Sequence, residues 1–561
     1  MNFTSHSEFF FSSRRIGWFI IGLATVIQLA RIVGITAAHG ELPFLSANDR
    51  SRWCAIAALT QDGRWEIDKY INLLDSKGKS KIWNTIDLVK HAGPDGVEHS
   101  YSSKPPLLTL LYAAICKPIT MIVGKSLTDE PFLIGRLVMI FANLVPLVLW
   151  WVWWHHWLER HVQDATTRWY LLNISVWGTF LTTFVATLNN HLHGAMFFCI
   201  TLALGWQVWK DARYGLVTSW GVWLSLGVSA AMAVACELPA LAWAVALGAL
   251  LFVADPKRML LGFGGGSAMI AVAFLGTNYW AHGDWRPPYA HRGLGGEIGK
   301  LAEQPLETPP TVDQIKATLD AAKYPLTSAA EILPARLEGV LQVIDASTHV
   351  RVALAKSSGV WTIHAWDDWY DYPKSYWLPE NKKGVDRGEP DRWKYLLHFT
   401  VGHHGIFSLT PVWIWAIVGA GVWIARGNRA LGELADTMTA ASSPVTSMPA
   451  WRRWLLSDSA LAAAIVSVSI ACMIFYASRD VVDRNYAGVC SGFRWLFWLV
   501  PGWLWLSIPA VQWSVRVRGL HAVLLFAIAV SVLSATIPWS NPWTHPWPYR
   551  LLMWWSPQDY Q

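Results

Sequence analysis

The side chains able to do chemistry in this sequence sit at the margins of its apolar windows. Asn48 and Asp49 open a stretch, SANDRSRWC, that also holds Arg52, and Lys104 precedes a Pro-Pro pair in YSSKPPLLTLLY. His191 and His193 lie in the polar connection NNHLH, and Glu237 lies in CELP between two apolar runs. His403 and His404 lead into a further run, and Arg484 and Arg494 into another. An acid near a lysine and several arginines suits a reaction in which a carboxylate takes a proton from an attacking hydroxyl while cations stabilise a departing phosphate. Lysine serves there as a point charge and arginine as a planar fork. Each group also has a plainer role. Ser46 with Asp49 fits a capping box, Lys104 fits a snorkelling lysine before a Pro-initiated helix, and Glu237 fits an acid at a helix N-terminus.

The elements that must position these groups are membrane helices. Of 561 residues, 53% are hydrophobic and only 15% charged, which excludes soluble enzyme classes. Apolar windows at 17–39, 131–154, 168–188, 191–209, 216–235, 238–254, 258–280, 404–424, 456–477, 493–513 and 519–537 read as eleven spans of an all-α polytopic protein. A shorter window, 107–123, decides the topology. If it does not cross, 14 Lys/Arg fall in short cytoplasmic loops and only Lys125, Arg479, Arg484 and Arg550 in short outer ones. If it crosses, the bias inverts, so the positive-inside rule makes it interfacial or re-entrant. The N-terminus is then cytoplasmic, the C-terminus lies outside, and the first apolar window stays as a span rather than a cleaved signal. The candidate residues all fall on the outer face, where a membrane-embedded site opening outward would be built.

Three regions follow: a transmembrane module at 1–280 with its first outer loop at 40–106, an extracytoplasmic loop domain at 281–403, and C-terminal helices with an outer tail at 404–561. In the loop domain, Val312–Lys323 and Ala329–Ile344 look helical, and Trp361–Trp377 is rich in Trp and Tyr. The net charge of +6 is a topology signal, and nucleic-acid binding is discarded. Cys116, Cys199, Cys236 and Cys472 lie in or beside apolar segments, leaving only Cys54 and Cys490 placed for a bridge. Most of the 38 Trp, including Trp150, Trp151, Trp153, Trp154 and Trp157, read as an interfacial belt. Gly264–Gly266 reads as helix packing, and 437–449 as a polar linker.

This set of groups suits transfer of a sugar from a polyprenyl-phosphate donor, whose tail stays in the bilayer while its head reaches the outer surface. Asn48-Asp49 before an amphipathic helix, then Gly63-Arg64-Trp65, then Lys104-Pro105-Pro106-Leu107 resembles the first outer loop of GT-C membrane glycosyltransferases, such as the protein O-mannosyltransferases and lipid A aminoarabinose transferases. In those families the loop opens on an acidic pair whose first member is the catalytic base, and the lysine of Lys-Pro-Pro contacts the donor phosphate. The resemblance implies that phosphate role for Lys104. Without gaps from Gly63 it sets Asn48 opposite the first acid and Asp49 opposite the second. Either the register shifts by one and Asp49 is the base, or the usual base is absent. The expected site is therefore Asp49 and Asn48 for catalysis, with Lys104, Arg52, His191, His193, Glu237, His403, His404, Arg484 and Arg494 for substrate.

The resemblance extends over about the first 280 residues. It implies a bacterial inner-membrane enzyme that needs no cofactor, acting on an acceptor hydroxyl of a protein, lipid or polysaccharide. The first outer loop lacks an Asp-x-Asp, which points to metal independence, while Asp367-Asp368 remains a candidate cation pair. Two other readings use the same cations without a base: a transporter or flippase of lipid-linked sugars, and a non-catalytic scaffold that binds lipid phosphate.

Overall fold

An apolar run in a bilayer satisfies its backbone hydrogen bonds within itself, because each unpaired amide there costs several kcal/mol. The structure, a computed structural model, describes residues 5–301, 309–321, 324–357, 359–437 and 449–556. It is 64% helical. Among the described residues, eight helices are long and apolar enough to cross a membrane: Arg14–Gly34, Pro106–Val123, Pro131–His161, Ala165–Ala186, Asn190–Arg213, Pro256–His282, Asp458–Ala477 and Arg518–Thr536. Trp220–Cys236, Leu238–Ala254 and Pro411–Arg426 are shorter apolar helices. A 3-10 segment, Arg494–Leu499, runs into helix Val500–Arg516. Helix thus occupies every expected window, four of them in shorter form. The polar linker at 437–449 lies outside the described residues except for its two ends.

Segment 106–123, expected to lie in the interface, is one continuous helix of span-like length and hydropathy. Its middle turns and the segment beyond its end are tied to the first long loop and to the 187–189 break. Tyr112 donates to the carbonyl of Asn189 at 2.9 Å, Lys117 donates to the carbonyl of Thr60 at 2.8 Å, and Thr128 beyond its end donates to Gln61 at 3.0 Å.

Trp220–Cys236 and the helix ending at His282 cross at glycines. A Cβ on Gly227 would collide with the Phe263 carbonyl, and one on Gly266 with the Leu224 carbonyl, so the FGGGS run serves close helix packing. Three tryptophans of the 131–161 helix depart from the expected belt. Trp150 and Trp154 are buried in an apolar gap shared with Trp206, Leu504 and Trp505, and Trp151 is fully buried. They are interior packing.

The chain is not all-α. A hairpin in the first long loop pairs β1 (Leu88–Ala92) with β2 (Glu98–Ser102). Within 281–403, β3 (Arg292–Lys300), β4 (Glu331–Pro334), β5 (Leu341–Asp345), β6 (Val350–Ser357) and β7 (Val360–Asp368) form an antiparallel sheet ordered β3-β7-β6-β5-β4. Alternate residues Val352, Leu354, Trp361 and Ile363 pack beneath helix Val312–Ala321, through Ile315 and Leu319. The expected helix at 329–344 is therefore two strands. Pro334 in its middle would remove a helical hydrogen bond, and Gly339, with φ of 75°, supports the turn between β4 and β5. All six cysteines are free and buried, so no Cys54–Cys490 bridge forms.

Candidate functional site

Four elements converge on one end of the helix bundle. Helix Ala47–Ala57 starts at Ser46, whose Oγ accepts from the Asp49 backbone N–H at 3.1 Å. Helical spacing then sets Asn48 with Arg52 on one side and Asp49 with Trp53 on another. Arg52 donates to Asn48 Oδ1 at 2.6 Å and to Asn190 Oδ1 at 2.8 Å.

The hairpin supplies the second pair. Its Gly93-Pro94-Asp95-Gly96 turn closes with Gly96 at φ of 77°, and Leu88 pairs with Ser102. That register sets Asp87 opposite Ser103, whose N–H donates to the Asp87 carbonyl at 3.2 Å. Lys104 comes next, and its Nζ lies 3.2 Å from Asp87 Oδ2. Ser51 Oγ donates to the Asp87 carbonyl at 2.5 Å, holding the hairpin against the first helix.

The third element is the break before helix Asn190–Arg213. Asn143 Nδ2 donates to the carbonyls of Val185 and Thr187 at 2.8 and 3.0 Å, and Asn189 caps the helix by accepting from Leu192 N–H at 2.9 Å. Asn190 and His191 in its first turn meet Glu237, whose Oε1 accepts from Asn190 Nδ2 at 2.7 Å and His191 Nδ1 at 2.5 Å. His191 Nε2 is 3.2 Å from Arg494 Nη1. Arginine only donates, so Nε2 is the acceptor and Nδ1 carries the proton given to Glu237. A Cβ on Gly194 would fall 2.9 Å from Glu237 Cγ, so only glycine permits this approach. Arg494, the fourth contribution, donates from Nε to the Ala487 carbonyl at 2.9 Å and lies over the Trp543 ring at 4.8 Å.

These groups wall two adjoining cavities of about 780 and 450 Å³ that share Asn48, Asp87, Lys104, Arg292 and Arg494. The smaller adds Arg52, His191 and Glu237, and its apolar side is made by Leu108, Leu238 and Phe475. The larger reaches the sheet region, where Arg336, Trp377, Lys382 and Asp386 line it. Burial pushes the Lys104 ammonium down to about 8; Asp87 opposes this, while Arg52 and Arg494 add to it. Burial likewise raises the Asp386 carboxyl, against a 2.7 Å hydrogen bond from Tyr376.

Six expected residues therefore meet at one site: Asn48, Arg52, Lys104, His191, Glu237 and Arg494. Five do not. Asp49 is fully buried behind the wall, with Oδ1 accepting from Trp53 Nε1 and Leu188 N–H at 2.9 Å each and Oδ2 from Leu45 N–H at 3.1 Å. It is a structural carboxylate that pins the 187–189 break to the first helix, and no edge of it faces either cavity. His193 faces the packing side. Its Nε2 lies 2.9 Å from the Ala142 carbonyl, four residues before Pro146, which has no N–H to offer that oxygen. His403 and His404 pack with His398, His545, Tyr486 and Tyr549 in an aromatic cluster away from both cavities. Arg484 donates to the Pro390 carbonyl at 2.7 Å and fastens that loop. The pair Asp367-Asp368 is taken by cations of the chain: Asp367 by Arg286 and His291 at 2.7 and 2.5 Å, Asp368 by Arg336 at 2.7 Å.

Asp87 and Lys382 escaped the reading of the sequence. Asp87 was findable, since two β-rich stretches around a Pro-Asp-Gly turn predict a hairpin whose register carries residue 87 back beside Lys104. Lys382 has no comparable local signal. Compared with family models, curated proteins and solved structures, the chain matches none.

Proposed function

We propose that this protein is a membrane glycosyltransferase that moves a sugar from a polyprenyl-phosphate donor to an acceptor hydroxyl on the extracytoplasmic face of a bacterial inner membrane. The observation that carries this reading is the placement of Lys104, Arg52 and Arg494 around one cavity at helix ends, with the Asp87 carboxylate 3.2 Å from the Lys104 ammonium. The donor phosphate takes the place between these cations, and its tail leaves along the side made by Leu108, Leu238 and Phe475. Asp87 is the base: it accepts the acceptor hydroxyl's proton as that oxygen attacks the sugar C1 and the C1–O bond to phosphate breaks. Lys104 and Arg494 balance the charge left on the phosphate. The resemblance to GT-C enzymes supports the class, with the base moved from Asp49 to Asp87.

In the topology that goes with this reading there are eleven spans, the N-terminus is inside and the C-terminus outside. Pro106–Val123 stays on the outer side, supported by the basic bias of the loops and by the bonds of Tyr112 to Asn189 and of Lys117 to Thr60. A non-catalytic lipid-phosphate scaffold is the second reading, favoured by the packed, structural state of Asp49. The test is transfer of labelled sugar from a panel of polyprenyl-phosphate donors in liposomes. Asp87→Asn lowers turnover by about 10²–10⁴-fold with donor binding intact, the range for removing a general base, and Lys104→Ala weakens donor binding. Saturable donor binding with no transfer from any donor establishes the scaffold instead.

A further inference from the structure

Resting on the transferase reading, one group in the larger cavity has no task in donor binding. Lys382 is only 8% exposed and lines that cavity, yet its ammonium has no ion-pair partner and no hydrogen bond among the described residues. The charges around it are already engaged. Asp483 is held by Arg479 and lies 3.3 Å from Arg292, and Asp386 accepts from Tyr376 at 2.7 Å and Asn485 at 3.4 Å. Arg336 is bound to Asp368 through Nε and Nη2, and Arg292 lies over the Tyr370 ring at 4.5 Å. Its stem is packed while its ammonium faces the cavity with no counter-ion among the described residues, which leaves that charge free to meet an anion that enters.

The loop that presents Lys382 is built rather than slack. Its carbonyl accepts from Arg387 Nε at 3.3 Å, and Asn381 Nδ2 donates to the Ser375 carbonyl at 2.7 Å. Beside it, Tyr376 and Trp377 also line the cavity and offer aromatic faces of the kind sugars stack on. At about 780 Å³ the chamber has room for more than a donor head.

We propose that Lys382, in the positive field of Arg292 and Arg336, forms a second oxyanion subsite that recognises a phosphate or carboxylate on a saccharide acceptor, separate from the donor-phosphate site at Lys104. The acceptor is then an anionic glycan or glycolipid headgroup.

The test is equilibrium titration of the full-length protein in nanodiscs with glucose 6-phosphate, glucuronate and glucose, each with and without saturating polyprenyl phosphate. Glucose 6-phosphate or glucuronate binds at least tenfold more tightly than glucose, and does so with polyprenyl phosphate already bound. Lys382→Gln removes that preference and leaves polyprenyl-phosphate affinity unchanged, Lys382→Arg restores the preference, and Lys104→Ala has the reverse pattern. Equal affinity for glucose and its phosphate, simple competition with polyprenyl phosphate, or an unaltered preference in a folded Lys382→Gln variant overturns the subsite. Separate binding of both anions with no sugar transfer defeats the transferase reading alone, whereas transfer that ignores acceptor charge defeats the subsite alone.

Discussion

Replacing Asp49 separates a structural acid from a catalytic one, and alanine and asparagine do so in opposite ways. Asp49→Ala strands three buried donors: the N–H groups of Leu45 and Leu188 and the Trp53 indole. At about 1–3 kcal/mol each the loss is about 3–9 kcal/mol. Burial holds the Asp49 carboxyl up at about 6 against an ordinary 3.8. Removing that buried charge therefore returns on the order of 3 kcal/mol near neutral pH. The net cost of alanine then spans about 0–6 kcal/mol and centres on about 3 kcal/mol. Asparagine keeps one oxygen for Trp53 and Leu188 and sets its amide against the Leu45 N–H alone, so about 1–3 kcal/mol is lost and a similar amount regained. Asp49→Asn is thus nearly neutral, while Asp49→Ala unfolds at clearly lower temperature. The assay is thermal unfolding in detergent followed by sugar transfer per folded molecule. The Asn variant keeps transfer within about threefold of wild type, far from the 10²–10⁴-fold drop expected for a lost base. A folded Asp49→Asn protein that loses transfer a hundredfold, or an Asp49→Ala protein with the wild-type midpoint, refutes the reasoning.

Other outcomes follow from the same geometry. The Lys104 pKa is lowered to about 8, so the lysine is charged below that pH and neutral above it. Polyprenyl-phosphate affinity consequently falls as pH rises through about 8, and Lys104→Arg, charged throughout, flattens the profile in a Kd series; a wild-type profile level to about pH 10 counts against the assignment. His193→Ala leaves the Ala142 carbonyl without its imidazole donor, costing about 1–3 kcal/mol of stability with donor affinity unchanged, as calorimetry beside a binding titration will register.

Much of the architecture was legible in the sequence. The eleven apolar windows all hold helix, because an apolar run and its backbone hydrogen bonds are local properties. The capping box at Ser46 and Asp49 was legible for the same reason: donor and acceptor lie three residues apart. The sheet at 281–403 was not legible: the apolar windows imply an all-α chain and 329–344 looks helical, while its strand state comes from Pro334, the Gly339 turn and the neighbouring strands. Asn48, Arg52, Lys104, His191, Glu237 and Arg494 line the adjoining cavities, and they stand out in the sequence because polar and charged residues beside apolar runs need partners.

Composition and periodicity by themselves determined that this is a multi-pass helical protein with cations and acids at its helix ends. Only the tertiary structure decided which acid stands beside Lys104. Asp49 is withdrawn from the cavities by Leu188, 139 residues away, whose free N–H arrives at a helix break and needs an acceptor. Asp87 is delivered to that lysine by a hairpin register and a serine 36 residues earlier. A side chain's type is written at its own position, but its role is set by the partner that satisfies or frees its polar atoms, and those partners are brought together only by folding.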